Sequence, residues 1–353
     1  MEGASISIKG RGSASNPANR FEAIHLERDA DWNPEEDAAP RTLFLRDSAQ
    51  TAINYNSSPD IPFNASINPY RGCEHGCAYC YARPTHEYLG FSAGLDFESK
   101  IMVKEDLPEL LRKELSARKW KPQVIAMSGV TDCYQPIERK LKLTRRCLEV
   151  LAEFRNPVGV ITKNHLVTRD VDLFAELARH GAALVNISVT TLDEKLTPKL
   201  EPRAALPKHR LAAVKLLSDA GVPVNVLIAP VIPGLTDHEM PAIIEAAREA
   251  GATSVGYTAL RLPHAVGPLF EEWLGLHFPD RKEKVLNRIR AMRGGKLNDP
   301  DFGSRMRGEG IFAEQIRQIF QVARRRAGFD EFRQPALSTA AFRVPPGAQL
   351  SLF

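Results

Sequence analysis

The chain has 353 residues, 43% hydrophobic and 25% charged, with 23 glycines and 25 prolines. That is the composition of a folded globular chain, and it excludes collagen-like, low-complexity and acidic disordered classes. The net charge of +4 is too small to name a partner. No apolar run reaches the roughly 20 residues a membrane-spanning helix needs. The opening residues lack the apolar stretch of a signal peptide, so the expected location is the cytoplasm.

Residues 1–62 contain Gly, Ser, Asn, Pro and acidic clusters without periodicity, and read as an irregular N-terminal extension. From residue 63 short apolar runs alternate with amphipathic stretches. Strands are expected at Ala65–Pro69, Val124–Ser128, Val158–Thr162, Leu184–Val189, Val224–Ile228 and Ser254–Leu260. Helices are expected at Leu107–Lys119, Arg139–Phe154, Asp172–Arg179, Arg210–Ala220 and His238–Ala250. In the first of these, Leu107, Leu110, Leu111 and Leu115 recur at three- and four-residue spacing, which places them on one buried face.

Six strands separated by helices imply parallel pairing through right-handed crossovers. The chain is therefore an α/β protein, either a partial (β/α) barrel or a doubly wound sheet. Both architectures put function at the C-terminal ends of the strands. The alternation stops near Pro263. Beyond it Arg281–Arg293 and Ile311–Ala327 read as helices of a C-terminal lobe, 266–334. From Arg281 to Arg333 there are 14 Lys/Arg against 7 Asp/Glu, a surface suited to a polyanion or simply a solvated helical face. Residues 335–353 form an extended tail.

Five cysteines are too few and too unevenly spaced for a secreted disulfide framework. Three of them, Cys73, Cys77 and Cys80, fall in one C-x3-C-x2-C loop just after the first expected strand. Three thiolates there can hold three irons of a [4Fe–4S] cluster and leave the fourth open. A zinc site would want a fourth ligand, for which His75 and His86 are the nearby candidates. Cys147 lies on the apolar stripe of its helix and reads as a core residue.

With Tyr79 just before the third cysteine, the loop resembles the signature of the radical SAM enzymes. The resemblance selects a partial (β/α)6 barrel over residues 63–265, and implies a [4Fe–4S] cluster with S-adenosylmethionine (SAM). In that family SAM chelates the open iron and is reductively cleaved to a 5′-deoxyadenosyl radical that abstracts hydrogen from the substrate. The order Asn68-Pro69-Tyr70, Val130-Thr131-Asp132, Thr162-Lys163, Ser188, Glu201-Pro202 and Ala229-Pro230 resembles the spore photoproduct lyase group, often labelled DNA repair photolyase. Most of these landmarks fall at or just beyond ends of expected strands.

Carried over by position, the resemblance implies SAM contacts from Tyr79, Tyr81, Thr131, Lys163, Ser188 and the Ala229 backbone. Thr131 and Ser188 can equally cap turns, and Lys163 can be a solvated surface residue. The lyase returns hydrogen from a thiol preceding its corresponding turn. Here Gly129 stands at that place and Cys133 follows the turn, so Cys133 is either a hydrogen donor or an inert buried thiol. The implied partners are DNA and a flavodoxin or ferredoxin as electron source. A tRNA, peptide or metabolite substrate, and a non-catalytic iron–sulfur accessory, are the alternative readings.

The chain ends Gln349-Leu350-Ser351-Leu352-Phe353. This resembles the linear motif by which bacterial polymerases and repair proteins dock on the DNA sliding clamp. Gln349 would set register, and Leu350, Leu352 and Phe353 would fill apolar pockets. The same apolar residues could instead fold back on the chain's own surface.

Overall fold

A computed structural model describes residues 7–22, 41–329 and 336–346. Ten strands occur among these residues: β1 Leu43–Arg46, β2 Asn54–Tyr55, β3 Ala65–Ile67, β4 Tyr70–Arg71, β5 Lys100–Val103, β6 Ile125–Met127, β7 Val158–Thr162, β8 Ala183–Ser188, β9 Val224–Val231 and β10 Ser254–Ala259. Seven form one sheet in the order β10-β9-β8-β7-β6-β3-β2. The six strands β3, β6, β7, β8, β9 and β10 are mutually parallel, and β2 closes the edge antiparallel to β3. Among the described residues β10 and β3 are not paired, so this is an open, partial (β/α)6 barrel. Each barrel strand begins and ends within one residue of its expected run, except that β3 stops two residues sooner and β9 runs three residues further.

Parallel strands joined by crossover helices need apolar side chains on the face those helices cover. Val160, Val185 and Val226 are fully buried along β7, β8 and β9, each contributing roughly 1.5–3 kcal/mol. Against them pack Leu107–Ser116, Leu143–Phe154, Val171–Ala178, Pro207–Asp219 and Met240–Glu249. The stretch expected as one helix from Arg139 is two, Glu138–Leu141 and Leu143–Phe154, divided at Lys142 with φ 53°.

A second, three-stranded sheet runs β1-β5-β4 and takes its edge strand from the N-terminal extension. Residues 11–20 of that extension lie across the loop after β4. Arg11 donates to the Glu98 carbonyl (2.8 Å), the Gly12 N–H to the Glu98 carboxylate (3.0 Å), and Asn19 to the Glu87 and Phe91 carbonyls (both 2.9 Å).

The C-terminal lobe holds Val266–His277, a helix the sequence analysis did not identify, with Pro279–Ala291 and Gly310–Arg326. Phe270 stacks on Trp273 with ring centroids 5.4 Å apart. The Trp273 indole N–H donates to the Lys199 carbonyl at 2.9 Å. Residues 336–346 cross the opposite end of the barrel, where Ser338 N–H reaches the Gly181 carbonyl and Arg343 N–H the Phe154 carbonyl (both 2.9 Å). Gln349, Leu350, Leu352 and Phe353 lie outside the described residues. No helix among the described residues is long and apolar enough to cross a membrane.

Candidate active site

The loop from Gly72 to Tyr81 leaves β4 and is held from both sides. Gly72 and Gly76 have φ of 79° and 64°, left-handed conformations that glycine adopts without steric cost. Cys73 N–H donates to the Phe97 carbonyl (2.9 Å), Ala78 N–H to the Leu200 carbonyl (3.0 Å) and Cys80 N–H to the Cys77 carbonyl (3.2 Å). Beneath the loop Arg83 is fully buried. Its guanidinium donates to the carbonyls of Cys77 (2.9 Å), Gly94 (2.9 Å) and Ala93 (3.3 Å) and pairs with buried Glu98 at 2.5 Å. Cys77, Ala78 and Tyr79 also enter a second apolar cluster with Leu200, Ile232, Leu260 and Trp273. The C-terminal lobe thus helps fix the loop.

The three thiols are free, Cys73 and Cys77 buried and Cys80 half-buried. Burial pushes all three up, and repulsion from the neighbouring cysteines adds to it at Cys73 and Cys77. As thiolates they need cationic charge beside them, and three soft sulfur donors on one loop suit an iron–sulfur cluster. Among the described residues no three His, Cys, Asp or Glu converge on a single metal ion. His75, a candidate fourth ligand, is engaged at both ring nitrogens: Nδ1 lies 3.3 Å from Asp132, and Nε2 lies 3.2 Å from the Asn164 amide. Asp132 further accepts from Thr162 Oγ1 (2.8 Å) and the Lys163 N–H (2.7 Å). Burial alone would raise the Asp132 carboxyl, but His75 and these donors hold it below its ordinary range.

At the C-terminal ends of β7, β8 and β9 a buried polar group converges beside Tyr79. Glu201 receives the Tyr79 hydroxyl and the Arg210 guanidinium, and Thr190 Oγ1 at 2.8 Å. Lys163 Nζ stands 4.0 Å from Glu201, donates to the Ala229 carbonyl at 3.1 Å and lies 5.9 Å over the Tyr79 ring. Burial pushes Glu201 up, yet Arg210 and Lys163 outweigh it and hold the carboxyl at about 2. An ionised carboxylate, an ammonium group and a carbonyl are therefore fixed beside the cysteine loop.

Of the residues expected to contact SAM, the structure brings together Tyr79, Lys163 and Ala229. Ser188 ends β8, buried, with its carbonyl taken by Arg210 at 3.0 Å. Tyr81 is 49% exposed and donates to the Gly129 carbonyl at 2.8 Å. The Thr131 hydroxyl donates to the Tyr70 carbonyl at 2.7 Å, a tie to β4 just before the cysteine loop. Cys133 is fully buried in the main apolar core, between Ser128 and Thr144 hydrogen bonds to its backbone, and burial raises its thiol. Cys147 is in the same core. Sequence reasoning gave no role to Arg210, Thr190 or Arg83, and weighed His75 only as a zinc ligand. Glu201 and Asp132 stood among the landmark residues without an assigned contact, so a signal was present for these two.

A family model described as the radical SAM superfamily matches residues 67–247, a span that contains the three cysteines, Tyr79, Lys163, Glu201 and Ala229. An uncharacterised protein of Mycobacterium tuberculosis is 34% identical over 250 residues, covering 70% of this chain and 72% of its own. An uncharacterised protein of Methanocaldococcus jannaschii is 32% identical over 195 residues, 55% of this chain and 70% of its own. Among solved structures, spore photoproduct lyase complexed with dinucleoside spore photoproduct superposes with a TM-score of 0.57 at 15% identity, over 81% of this chain and 79% of the lyase. On the strength of the matched span and the loop it contains, this chain belongs to the radical SAM superfamily and shares the fold of spore photoproduct lyase.

Proposed function

We propose that the chain is a radical SAM enzyme that carries a [4Fe–4S] cluster on Cys73, Cys77 and Cys80 and abstracts hydrogen from a nucleic-acid substrate in lesion repair. The observation that carries the enzymatic reading is the convergence of Tyr79, Lys163, Glu201 and the Ala229 carbonyl beside the cysteine loop. A structural cluster needs no such group. A cluster held by Cys73, Cys77 and Cys80 would supply the electron for reductive cleavage of SAM, and the protein would supply placement and shielding.

Lys163 offers a charge-assisted bond to a carboxylate. Its ammonium is held by the Ala229 carbonyl and by Glu201, so little reorganisation is needed when ligand arrives. Buried Tyr79 closes one side of the space against water. The nucleic-acid reading rests on the shared fold with a lyase whose structure holds a dinucleoside, and on the excess of Lys and Arg in the C-terminal lobe. Docking on a sliding clamp through Gln349, Leu350, Leu352 and Phe353, reduction by a flavodoxin or ferredoxin, and a cytoplasmic setting complete the proposal.

The test is release of 5′-deoxyadenosine from SAM by the anaerobically reconstituted, reduced protein, with Cys77→Ala in parallel and with damaged DNA added or omitted. Release that disappears in the variant and rises with DNA is the expected result. Release indifferent to DNA but stimulated by a tRNA or peptide would overturn the substrate, and no release from an intact cluster with any of them would overturn the enzyme. Removing the last five residues should abolish clamp binding and leave 5′-deoxyadenosine release intact.

A further inference from the structure

Outside the site described, the outer side of the cysteine loop borders a cleft of about 600 Å³. Glu74 forms part of its lining, and Lys9, Arg11, Arg41, Lys140 and Arg203 bring five cations to it. The chain turns sharply here. Glu201 faces inward to Tyr79, whereas Arg203, two residues on, reaches Glu74 (3.2 Å) and Thr42 (3.2 Å). Thr42 Oγ1 also accepts from Arg11 at 3.3 Å. One hydroxyl therefore holds two guanidinium groups side by side, and each repels the other.

The carboxylate in the lining, Glu74, is buried and already bound by Arg203 and by the Ile137 N–H at 2.8 Å. Lys9, Arg41 and Lys140 are exposed and make no ion pair among the described residues. Phe44, 44% exposed, offers an aromatic face to the same space. Among the described residues no carboxylate therefore neutralises these three cations. Unpaired cations around a concave space with one exposed ring match the two needs of a nucleic-acid strand, phosphate neutralisation and base stacking. An acidic protein would call for a broader and flatter face.

We propose that this cleft binds the backbone of a nucleic-acid strand, with phosphates on Lys9, Arg41 and Lys140 and a base on Phe44. It rests on the nucleic-acid reading above and adds where the strand runs beyond the reacting nucleotide. The chemistry is ionic and stacking contact only, and no bond is made or broken.

The experiment is fluorescence anisotropy of a short labelled single strand with the reconstituted holoprotein across a salt series of about 50–200 mM. Each phosphate contact on a single strand contributes about 0.7 to the slope of log K against log salt. Lys9→Ala/Arg41→Ala/Lys140→Ala is therefore expected to lower the slope by about 2. Phe44→Ala is expected to weaken binding about tenfold with the slope unchanged. The three cations are exposed and make no ion pair with the cysteine loop among the described residues, so far-ultraviolet circular dichroism and 5′-deoxyadenosine release without DNA should stay at wild-type values.

A triple variant that keeps both slope and affinity while wild type binds would overturn the cleft and leave the nucleic-acid reading standing. Wild type that binds no strand at any salt would overturn both. Loss of binding to an acidic redox protein with strand binding unaltered would assign the cleft to that protein and overturn the proposal.

Discussion

Replacing Glu201 by Gln removes a single negative charge from a fully buried position and preserves its shape. In the folded chain burial pushes this carboxyl up, but Arg210, Lys163 and the hydrogen bonds from Arg210 and Tyr79 bring it from 4.5 down to about 2. At about 1.36 kcal/mol per pH unit of displacement, the ionised form stabilises the fold by about 3 kcal/mol. Because the folded value is depressed, that contribution is fully present above pH 4.5 and is lost as the pH falls toward 2.

Glu201→Gln is therefore expected to cost about 3 kcal/mol at neutral pH, and the deficit should shrink on acidification until the two proteins converge. Urea unfolding of the cluster-free chain, followed by circular dichroism across that range, reads the chain rather than metal release. A loss under about 1 kcal/mol at neutral pH, or one that stays constant into acid, would refute the ion-pair account of this network.

Other consequences can be measured in the same way. Arg210→Met strands Glu201 without its buried partner and should lower stability by about 3–5 kcal/mol; the double variant with Glu201→Gln should recover part of that loss. Arg83→Met removes the donor that ties the Cys77, Ala93 and Gly94 carbonyls and leaves Glu98 unpaired and buried, so it should cost a similar 3–5 kcal/mol and reduce iron per chain after reconstitution. A methyl group at Gly12 would stand 1.7 Å from the Gly76 carbonyl oxygen; Gly12→Ala should displace residues 11–20 and make them cleavable in limited proteolysis. Cys133→Ala should cost about 1 kcal/mol as a core truncation and leave the pattern of reaction products unchanged.

The barrel was legible because its strands are short, β-branched-rich runs with one face fully buried, and Val158–Thr162 matches its element end to end. What failed was governed by side-chain contacts. Lys142 breaks a helix through a left-handed backbone that no periodicity reveals. Val266–His277 carries Phe270, Trp273 and Leu274 into a core shared with the cysteine loop, so its apolar positions make sense only once that loop is in place. In the extension, order comes from single polar contacts such as Asn19 to Glu87 and Phe91, which leave no repeating pattern. The cysteines were visible as a motif, whereas the inward turn of Glu201 and the outward turn of Arg203 depend on the fold of the segment between them.

The contact between Gly12 and the cysteine loop also sets an order of events during synthesis. Residues 11 and 12 leave the ribosome early, yet their partners lie at Glu98, and Ala78 in the same loop awaits Leu200. Such long-range closures form late, because the loop entropy they cost is recovered only after intervening chain has folded. The cysteines are therefore translated, and open to whatever delivers iron and sulfide, well before residues 11 and 12 can shut over them. Damage to residues 11 and 12 would register as poor metallation of a loop about sixty positions downstream.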